Sequence, residues 1–311
     1  MSARRILRIL RTGLAGLVAV LLVVALGILA HGEWRLWRAH SAPPVVADAP
    51  APPGPATAPV LILLHGAGLN GHMWDAVRRH LDPAYRVIAP DLPGHGTRLD
   101  EVFTEEAATA TVAAAARSVA PAPVVLVGDS LGGYVAMAAA AAVPPAQLRG
   151  LIIGGCTAEL GHAAMLRYLR DASLIGIASV FVDPKKFTLK VLDMLGVTPA
   201  DARAIVAGGV SLRAVPADVR ALLYGHFRDR LAAIDRPVLI VNGTLDAGSI
   251  AGEPAFLAAA RHGTSHPFEN TGHGVSMRKS AEYAALVNDF AARAFAATDS
   301  PLDPTEAPRT P

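Results

Sequence analysis

A serine stands at a sharp change of backbone direction near the middle of the chain. The apolar residues 124–128 predict a buried strand, and an alanine-rich helix is expected to begin at residue 131. So tight a turn forces the intervening Ser130 into a strained backbone conformation, which small neighbours make possible. The strain lifts the hydroxyl above the sheet, and the N–H groups of the new helix favour negative charge there. The arrangement predicts a nucleophile, in the pattern Gly128-Asp129-Ser130-Leu131-Gly132.

The strands and helices that would carry this turn alternate over about 240 residues. Several of the short β-branched runs are apolar throughout, as in strands buried on both faces. The alternation predicts right-handed β-α-β units and an α/β fold with a doubly wound, mostly parallel sheet. It stops between about residues 157 and 232, where helix-like sequence predicts an inserted helical cap. Strands are predicted at residues 60–64, 85–89, 124–128, 151–154, 238–242 and 265–269, and helices at about 72–81, 105–119, 131–142, 252–262 and 278–296.

Four further segments carry loop motifs at the ends of predicted strands: Leu64-His65-Gly66-Ala67-Gly68, Asp91-Leu92-Pro93-Gly94-His95-Gly96, Val238-Leu239-Ile240-Val241-Asn242-Gly243-Thr244-Leu245-Asp246 and Asn270-Thr271-Gly272-His273-Gly274. With the serine turn, and in the order Ser, Asp, His, they resemble the α/β-hydrolase superfamily over roughly residues 58–297. They are similar to its H-G oxyanion loop, its D-x-P-G-H-G loop, its acid-bearing strand and its base-bearing loop. That family often opens with an antiparallel hairpin. The proline-rich sequence here implies that one or two edge strands are missing or shortened.

The resemblance implies a serine hydrolase with Ser130 as nucleophile, His273 as base and Asp246 as acid. A serine hydroxyl needs a base within hydrogen-bond distance, and His273 would take its proton and return it to the leaving group. Asp246 would hold the imidazole tautomer and stabilise the imidazolium. A surface-loop histidine and a turn aspartate are the structural alternatives for these two residues.

The oxyanion of the tetrahedral intermediate needs donors aimed at it. The backbone N–H groups of Ala67 and Leu131 are the expected pair, and Gly68 could replace Ala67 if the loop is arranged differently. Three other reactive side chains are interpreted as structural: His65, His95 and the single cysteine, Cys156.

Composition and charge exclude several classes of protein. Hydrophobic residues make up 52% of the chain and charged ones 17%, which excludes global disorder. Without the four arginines of residues 1–11, 24 basic side chains face 26 acidic ones, so no basic surface suggests nucleic acid. The single cysteine forbids an internal disulfide. No cluster with metal-ligand spacing and no glycine-rich phosphate loop is present, so neither a metal nor a cofactor is expected.

The N-terminal region predicts a membrane anchor. Residues 13–30 have no charge, which is about the minimum length for a spanning helix. We expect a basic cytoplasmic segment at 1–11 and a transmembrane anchor at 12–30. More arginines precede the span than follow it, so the single-pass protein would hold its catalytic domain outside the cytoplasm at the cell membrane. A cleaved signal peptide and a buried helix are the alternatives.

Low-complexity segments flank the predicted hydrolase domain at 58–297. Residues 31–57 are interpreted as a proline-rich linker, because seven prolines fall within residues 41–59. Residues 298–311 are proline-rich and polar and predict a disordered tail.

The expected function is hydrolysis of a carboxylic ester, with a small to medium apolar acyl group, through an acyl-enzyme on Ser130. A thioesterase, an amidase or peptidase, a C–C bond hydrolase or an acyltransferase would use the same three residues. A non-catalytic ligand-binding protein on a hydrolase scaffold is a remote alternative. The expected partners are a small-molecule ester and the membrane, and the sequence leaves the oligomeric state open. The cap supplies apolar candidates for the acyl pocket or for its own core: Met165, Leu166, Tyr168, Leu169, Leu174, Ile175, Ile177, Phe181, Phe187, Leu192 and Met194.

Overall fold

The computed structural model describes residues 3–40, 52–178, 182–212 and 214–297. Six strands form one sheet: β1 (Val60–Leu64), β2 (Arg86–Ile88), β3 (Val124–Asp129), β4 (Leu148–Gly154), β5 (Val238–Gly243) and β6 (Gly263–Phe268). Their order is β2-β1-β3-β4-β5-β6, and every pairing in this sheet is parallel. The predicted doubly wound α/β fold is confirmed. No antiparallel hairpin precedes β1 among the residues described from position 52 onward.

Burial on both faces explains the apolar sequence of the central strands. All five side chains of β1 are buried. Val60, Ile62 and Leu64 pack into the core on one face, while Leu61 and Leu63 pack into the core on the other. The sheet can therefore hold its strand ends, and the loops that follow them, on a rigid edge.

Helices cover both faces of the sheet. Two of the predicted helices differ most from the structure, each for a local reason. The helix expected from residue 252 begins at Ala247, because the carboxylate of Asp246 caps it by accepting from the Ser249 N–H. The helix expected over 72–81 is a 3₁₀ turn at Gly71–Trp74 followed by one short helix. The helices of this α/β core are α2 (Asp75–Arg78), α3 (Glu105–Ser118), α4 (Leu131–Ala139), α10 (Ala247–Ala259), α11 (Val275–Arg278) and α12 (Ser280–Ala296).

The residues between β4 and β5 form the helical cap. Polar contacts between residues far apart in sequence tie it to the core. Arg79 donates two hydrogen bonds to Asp201, at 2.9 and 2.7 Å. The buried ring of His95 lies 3.1 Å from the carboxylate of Asp218. The cap consists of α5 (His162–Ala178), α6 (Pro184–Met194), α7 (Pro199–Ala207), α8 (Ala214–Leu222) and α9 (Phe227–Ala232).

The N-terminal helix α1 (Ala3–His40) is longer than the predicted anchor. It continues ten residues past position 30, so residues 31–40 belong to the helix and not to a linker. They contain no proline, and the first prolines of the chain are Pro43 and Pro44. Residues 41–51 of the predicted linker and the predicted tail 298–311 lie outside the described residues.

Helix α1 also contains the apolar stretch that predicted the anchor. The segment Gly13–Ala39 is long and apolar enough to cross a membrane, and its most apolar window of 18 residues has a mean hydropathy of 2.8. The most apolar window of this stretch is not buried against the rest of the protein. A signal sequence has the same length and composition, so the helix is evidence for a membrane span by these two properties only.

Asn70 provides a test of how the cap is held. Its side chain is fully buried, and its amide nitrogen donates to the carbonyls of Ile205 and Gly209 in the cap, at 2.7 and 2.8 Å. We expect Asn70→Ala to lower the free energy of unfolding by about 3 kcal/mol, because both carbonyls lose their donor. Urea denaturation in detergent measures this change. Asn288→Ala is the matched control, since that side chain also bonds backbone groups but is only partly buried. Equal losses in the two variants would contradict the role given to Asn70.

Candidate active site

Ser130 occupies a strained turn between β3 and α4. Its backbone has φ 56° and ψ −117°, and its N–H donates to the carbonyl of Gly154 on the neighbouring strand at 2.7 Å. The strained conformation predicted from the sequence is confirmed. A Cβ on Gly132 would lie 1.9 Å from the Leu64 carbonyl oxygen, and one on Gly128 would lie 2.2 Å from the Gly132 carbonyl oxygen. Both positions therefore require glycine.

The structure brings the other two predicted residues to this turn. The Nε2 atom of His273 lies 3.0 Å from the Ser130 Oγ, and its Nδ1 lies 2.7 Å from the Asp246 Oδ2. An ionised Asp246 accepts the Nδ1–H, which leaves Nε2 free to accept the serine hydroxyl proton. Asp246 follows β5, and His273 lies in the loop after β6. The carboxyl ends of the strands thus deliver all three groups to one edge of the sheet.

Neighbouring groups shift the pKa values of Asp246 and His273, the two ionisable residues of this hydrogen-bonded series. The Ser249 hydroxyl donates to the same carboxylate oxygen of Asp246 at 2.8 Å. Partial burial raises the pKa of Asp246, but the hydrogen bond and charge of His273 outweigh it and hold the pKa below its usual value. The hydrogen bond to Asp246 raises the pKa of His273, against the opposing effect of burial. His273 can therefore act as a base only above this raised pKa.

Asp129 is a second carboxylate at the site, and the sequence reasoning gave it no role. It is buried, and the Ser276 hydroxyl donates to its Oδ2. A Cβ on Gly155 would lie 3.2 Å from the Asp129 Oδ1 and 2.9 Å from the His273 Cε1, so the carboxylate and the imidazole border the same small space. The charge of Asp129 contributes to the raised pKa of His273. The sequence feature that could have indicated this carboxylate is an acidic residue directly before Ser130, at the end of an apolar strand.

The predicted oxyanion donors lie beside the serine. A Cβ on Gly66 would lie 3.6 Å from the Ser130 Cβ, so the loop after β1 packs against the turn, and Ala67 follows it. Within the described ranges, the N–H groups of Ala67 and Leu131 have no acceptor. The same is true of Gly68, so the choice between Ala67 and Gly68 stays a prediction.

The histidine of the predicted oxyanion loop makes hydrogen bonds with both ring nitrogens. His65 is fully buried, its Nε2 accepts from the Leu92 N–H at 3.0 Å, and its Nδ1 donates to the Gly66 carbonyl at 2.9 Å. Burial lowers its pKa to about 3, so the ring is neutral at physiological pH. It ties this loop to the loop that follows β2.

Cys156 is buried against Gly133. No group of three or more potential metal ligands occurs in the described ranges.

A cavity of about 300 Å³ opens in front of Ser130 and His273. The loop after β1 forms one wall and the cap forms the other. Of the apolar cap residues named from the sequence, Phe187 and Leu192 line it, while Phe181 lies outside the described residues. The apolar residues of the lining are Ala67, Leu69, Met73, Phe187, Val191, Leu192, Leu195, Leu212, Val215 and Met277.

Known proteins share this fold and parts of this sequence. The sequence model of the alpha/beta hydrolase family matches residues 61–286. Esterase Rv0045c of Mycobacterium tuberculosis is 42% identical over 92 residues, which cover 28% of this chain and 30% of that protein. A pimeloyl-[acyl-carrier protein] methyl ester esterase of Xanthomonas oryzae is 41% identical over 99 residues, covering 32% of this chain and 37% of that protein. The chain thus spans about a third of the length of these curated relatives.

The fold comparison extends over more of the chain. A thermophilic esterase from Thermogutta terrifontis superimposes with a TM-score of 0.60 at 24% identity, covering 81% of this chain and 99% of that one. At this identity the likeness concerns the fold alone.

Gly132 tests the packing of the turn. We expect Gly132→Ala to lower the free energy of unfolding by about 3 kcal/mol, because its Cβ would overlap the Leu64 carbonyl and force β1 and α4 apart. Gly161→Ala is the control, since no atom lies within 4 Å of a Cβ at that position. Chemical denaturation of both variants measures the difference. Gly132→Ala with unchanged stability would contradict the close approach.

Proposed function

Since the chain belongs to the α/β-hydrolase family, we propose that it is a serine hydrolase that cleaves carboxylic esters through an acyl-enzyme. The observation that carries the proposal is the hydrogen-bonded series Asp246–His273–Ser130 at the base of an apolar cavity. The esterase names of two relatives support the choice of ester over other acyl compounds.

The proposed reaction begins with attack by the Ser130 Oγ on the ester carbonyl carbon. His273 takes the serine proton on Nε2, and Asp246 stabilises the resulting imidazolium. The carbonyl oxygen becomes an oxyanion that accepts hydrogen bonds from the N–H groups of Ala67 and Leu131. His273 then gives its proton to the departing alkoxide, which leaves as the alcohol. Water, deprotonated by His273, attacks the carbonyl carbon of the acyl-enzyme; the bond to Ser130 Oγ breaks, His273 returns the proton to that oxygen, and the acid is released.

The cavity supports a small to medium apolar acyl group. Its volume of about 300 Å³ is at the lower end of small-molecule sites. The polar side chains of the described lining lie mostly near the reacting atoms, as Asp129, Ser130 and His273, whereas the cap wall is largely apolar. An apolar acyl chain would pack against α6 while its carbonyl carbon lies at Ser130.

We also propose that α1 anchors the enzyme in the cell membrane with the hydrolase domain outside the cytoplasm. The apolar stretch of α1 and the four preceding arginines support this orientation. Sequencing the N-terminus of the mature protein distinguishes an anchor, which retains residue 13, from a cleaved signal sequence.

The nucleophile can be tested with a fluorophosphonate probe. We expect the wild-type protein and Ser118→Ala, a serine exposed on α3, to be labelled and Ser130→Ala to be unlabelled. Hydrolysis of p-nitrophenyl esters should fall roughly ten-thousandfold in Ser130→Ala and should be fastest for short and medium acyl chains. Labelling that survives Ser130→Ala would contradict the assignment of the nucleophile. Labelling without ester turnover would contradict the assignment of the substrate.

Asp246→Asn tests the electrostatics of the base. The substitution keeps the side-chain volume but removes the charge that helps to raise the pKa of His273, and it replaces one carboxylate oxygen by an amide NH2 group that cannot accept. We expect turnover to fall roughly a thousandfold. Activity requires neutral His273 and rises with pH through its pKa, so the acid limb of the pH profile should move to lower pH. Ser249→Ala, which removes one neutral donor to the same carboxylate, is the control and should lose only severalfold. An unmoved acid limb in Asp246→Asn would contradict this account.

A further inference from the structure

One face of α1 is covered along the C-terminal half of the helix. Ala25, Ile28 and Leu29 are partly buried and Leu36 is buried. These positions recur at helical spacing, and the cap helix α5 makes the most extensive contact with α1. The covered face begins inside the apolar residues 13–30 and continues beyond them. The cap therefore packs against the part of α1 that would emerge from the membrane.

Three hydrogen bonds hold the cap at this point of α1. The guanidinium of Arg220 on α8 donates to both carboxylate oxygens of Glu33, at 2.6 and 2.7 Å. The Tyr168 hydroxyl on α5 donates to the same carboxylate at 3.0 Å. Glu33 is three residues past the end of the uncharged stretch, which is about 5 Å along a helix. If α1 spans a membrane, these hydrogen bonds hold α5 and α8 at the surface of that membrane.

The outer side of α5 carries apolar residues that the described parts of the chain leave exposed. Leu166 is 69% exposed and Leu174 is 58% exposed, whereas Ala164 and Tyr168 on the inner side are buried. Arg167 lies beside these leucines and is also exposed. A helix that lies in the surface of a bilayer combines leucines with cationic side chains in this way, because the cations meet lipid phosphates.

We propose that the exposed side of α5 is a lipid-binding surface that seats the cap on the membrane beside α1. The inference rests on the proposed membrane anchor. The bilayer is the favoured occupant, because α5 packs directly against α1, and the most apolar window of α1 contains no buried residue.

The proposal also specifies the substrate class. Helix α8 carries Arg220, which bonds Glu33, and Val215, which lines the cavity. These two residues are five positions apart, about 8 Å along the helix. Val215 is 41% exposed and so borders both the cavity and the outer surface. A cap seated on the bilayer would take its substrate from the membrane, so the substrate is an ester whose apolar part partitions into lipid.

The lipid contact can be measured on the full chain in liposomes. Cys156 is fully buried, so a maleimide fluorophore would report on an introduced cysteine. We expect fluorophores at Leu166→Cys and Leu174→Cys to be quenched by lipids with brominated chains. A fluorophore at Arg117→Cys, an exposed position on α3, should be quenched by aqueous iodide. Quenching of the α5 positions by iodide to the same extent as Arg117→Cys, in protein that floats with the liposomes, would overturn the proposal. Shielding of the α5 fluorophores from both quenchers, together with crosslinking of two chains, would also overturn the proposal. Protein that does not float would instead contradict the anchor, and with it the premise of the inference.

Substrate access provides a second measurement. We expect Leu166→Glu combined with Leu174→Glu to lower turnover of p-nitrophenyl dodecanoate dissolved in vesicles about tenfold, since two leucines lose their lipid contact. Turnover of water-soluble p-nitrophenyl acetate should stay within about twofold. Leu166→Gln combined with Leu174→Gln, which adds no charge, should give an intermediate loss on dodecanoate. An equal fall on both esters would overturn the proposal, whereas absence of acetate turnover in the wild-type protein would contradict the proposed esterase activity instead.

Discussion

Ser130 has a backbone conformation that costs of order 1–3 kcal/mol for a residue with a side chain. Close packing maintains it, because Gly128 and Gly132 allow α4 to approach β3 and the end of β1. The turn ends a strand and begins a helix within one residue, so the serine projects from the edge of the sheet. The loops that carry Asp246 and His273 follow strands of the same parallel sheet, and their positions relative to Ser130 depend on this edge.

The contacts at this edge of the sheet also position the groups that transfer protons in the proposed reaction. Asp246 caps α10 and accepts from His273, so one carboxylate both starts a helix and orients the base. Asp129 borders the same small space as the imidazole and accepts a hydrogen bond from Ser276 in α11. Charge that develops on His273 during the reaction is therefore surrounded by groups whose positions the fold has already set.

Local patterns predicted much of this arrangement. The six strands, the strained serine and the helical nature of the cap follow from apolar runs, glycines and turn residues that lie next to one another in the chain. The contacts that could not be predicted join residues far apart in sequence. Arg79 and Asp201 are 122 positions apart, and Glu33 and Arg220 are 187 apart. Each of these residues looks like an ordinary exposed charge in its own segment. The anchor was predicted to end at residue 30 because the uncharged apolar stretch ends there, whereas the helix continues through the polar and aromatic residues 31–40.

The central claim is that the strained turn makes Ser130 the residue that carries the acyl group. Rapid-quench mass spectrometry during hydrolysis of a p-nitrophenyl ester tests it directly. The account predicts a burst of about one p-nitrophenol per active chain, and an acyl adduct on the peptide that contains Ser130. Steady turnover with no adduct, or an adduct on another residue, would contradict it.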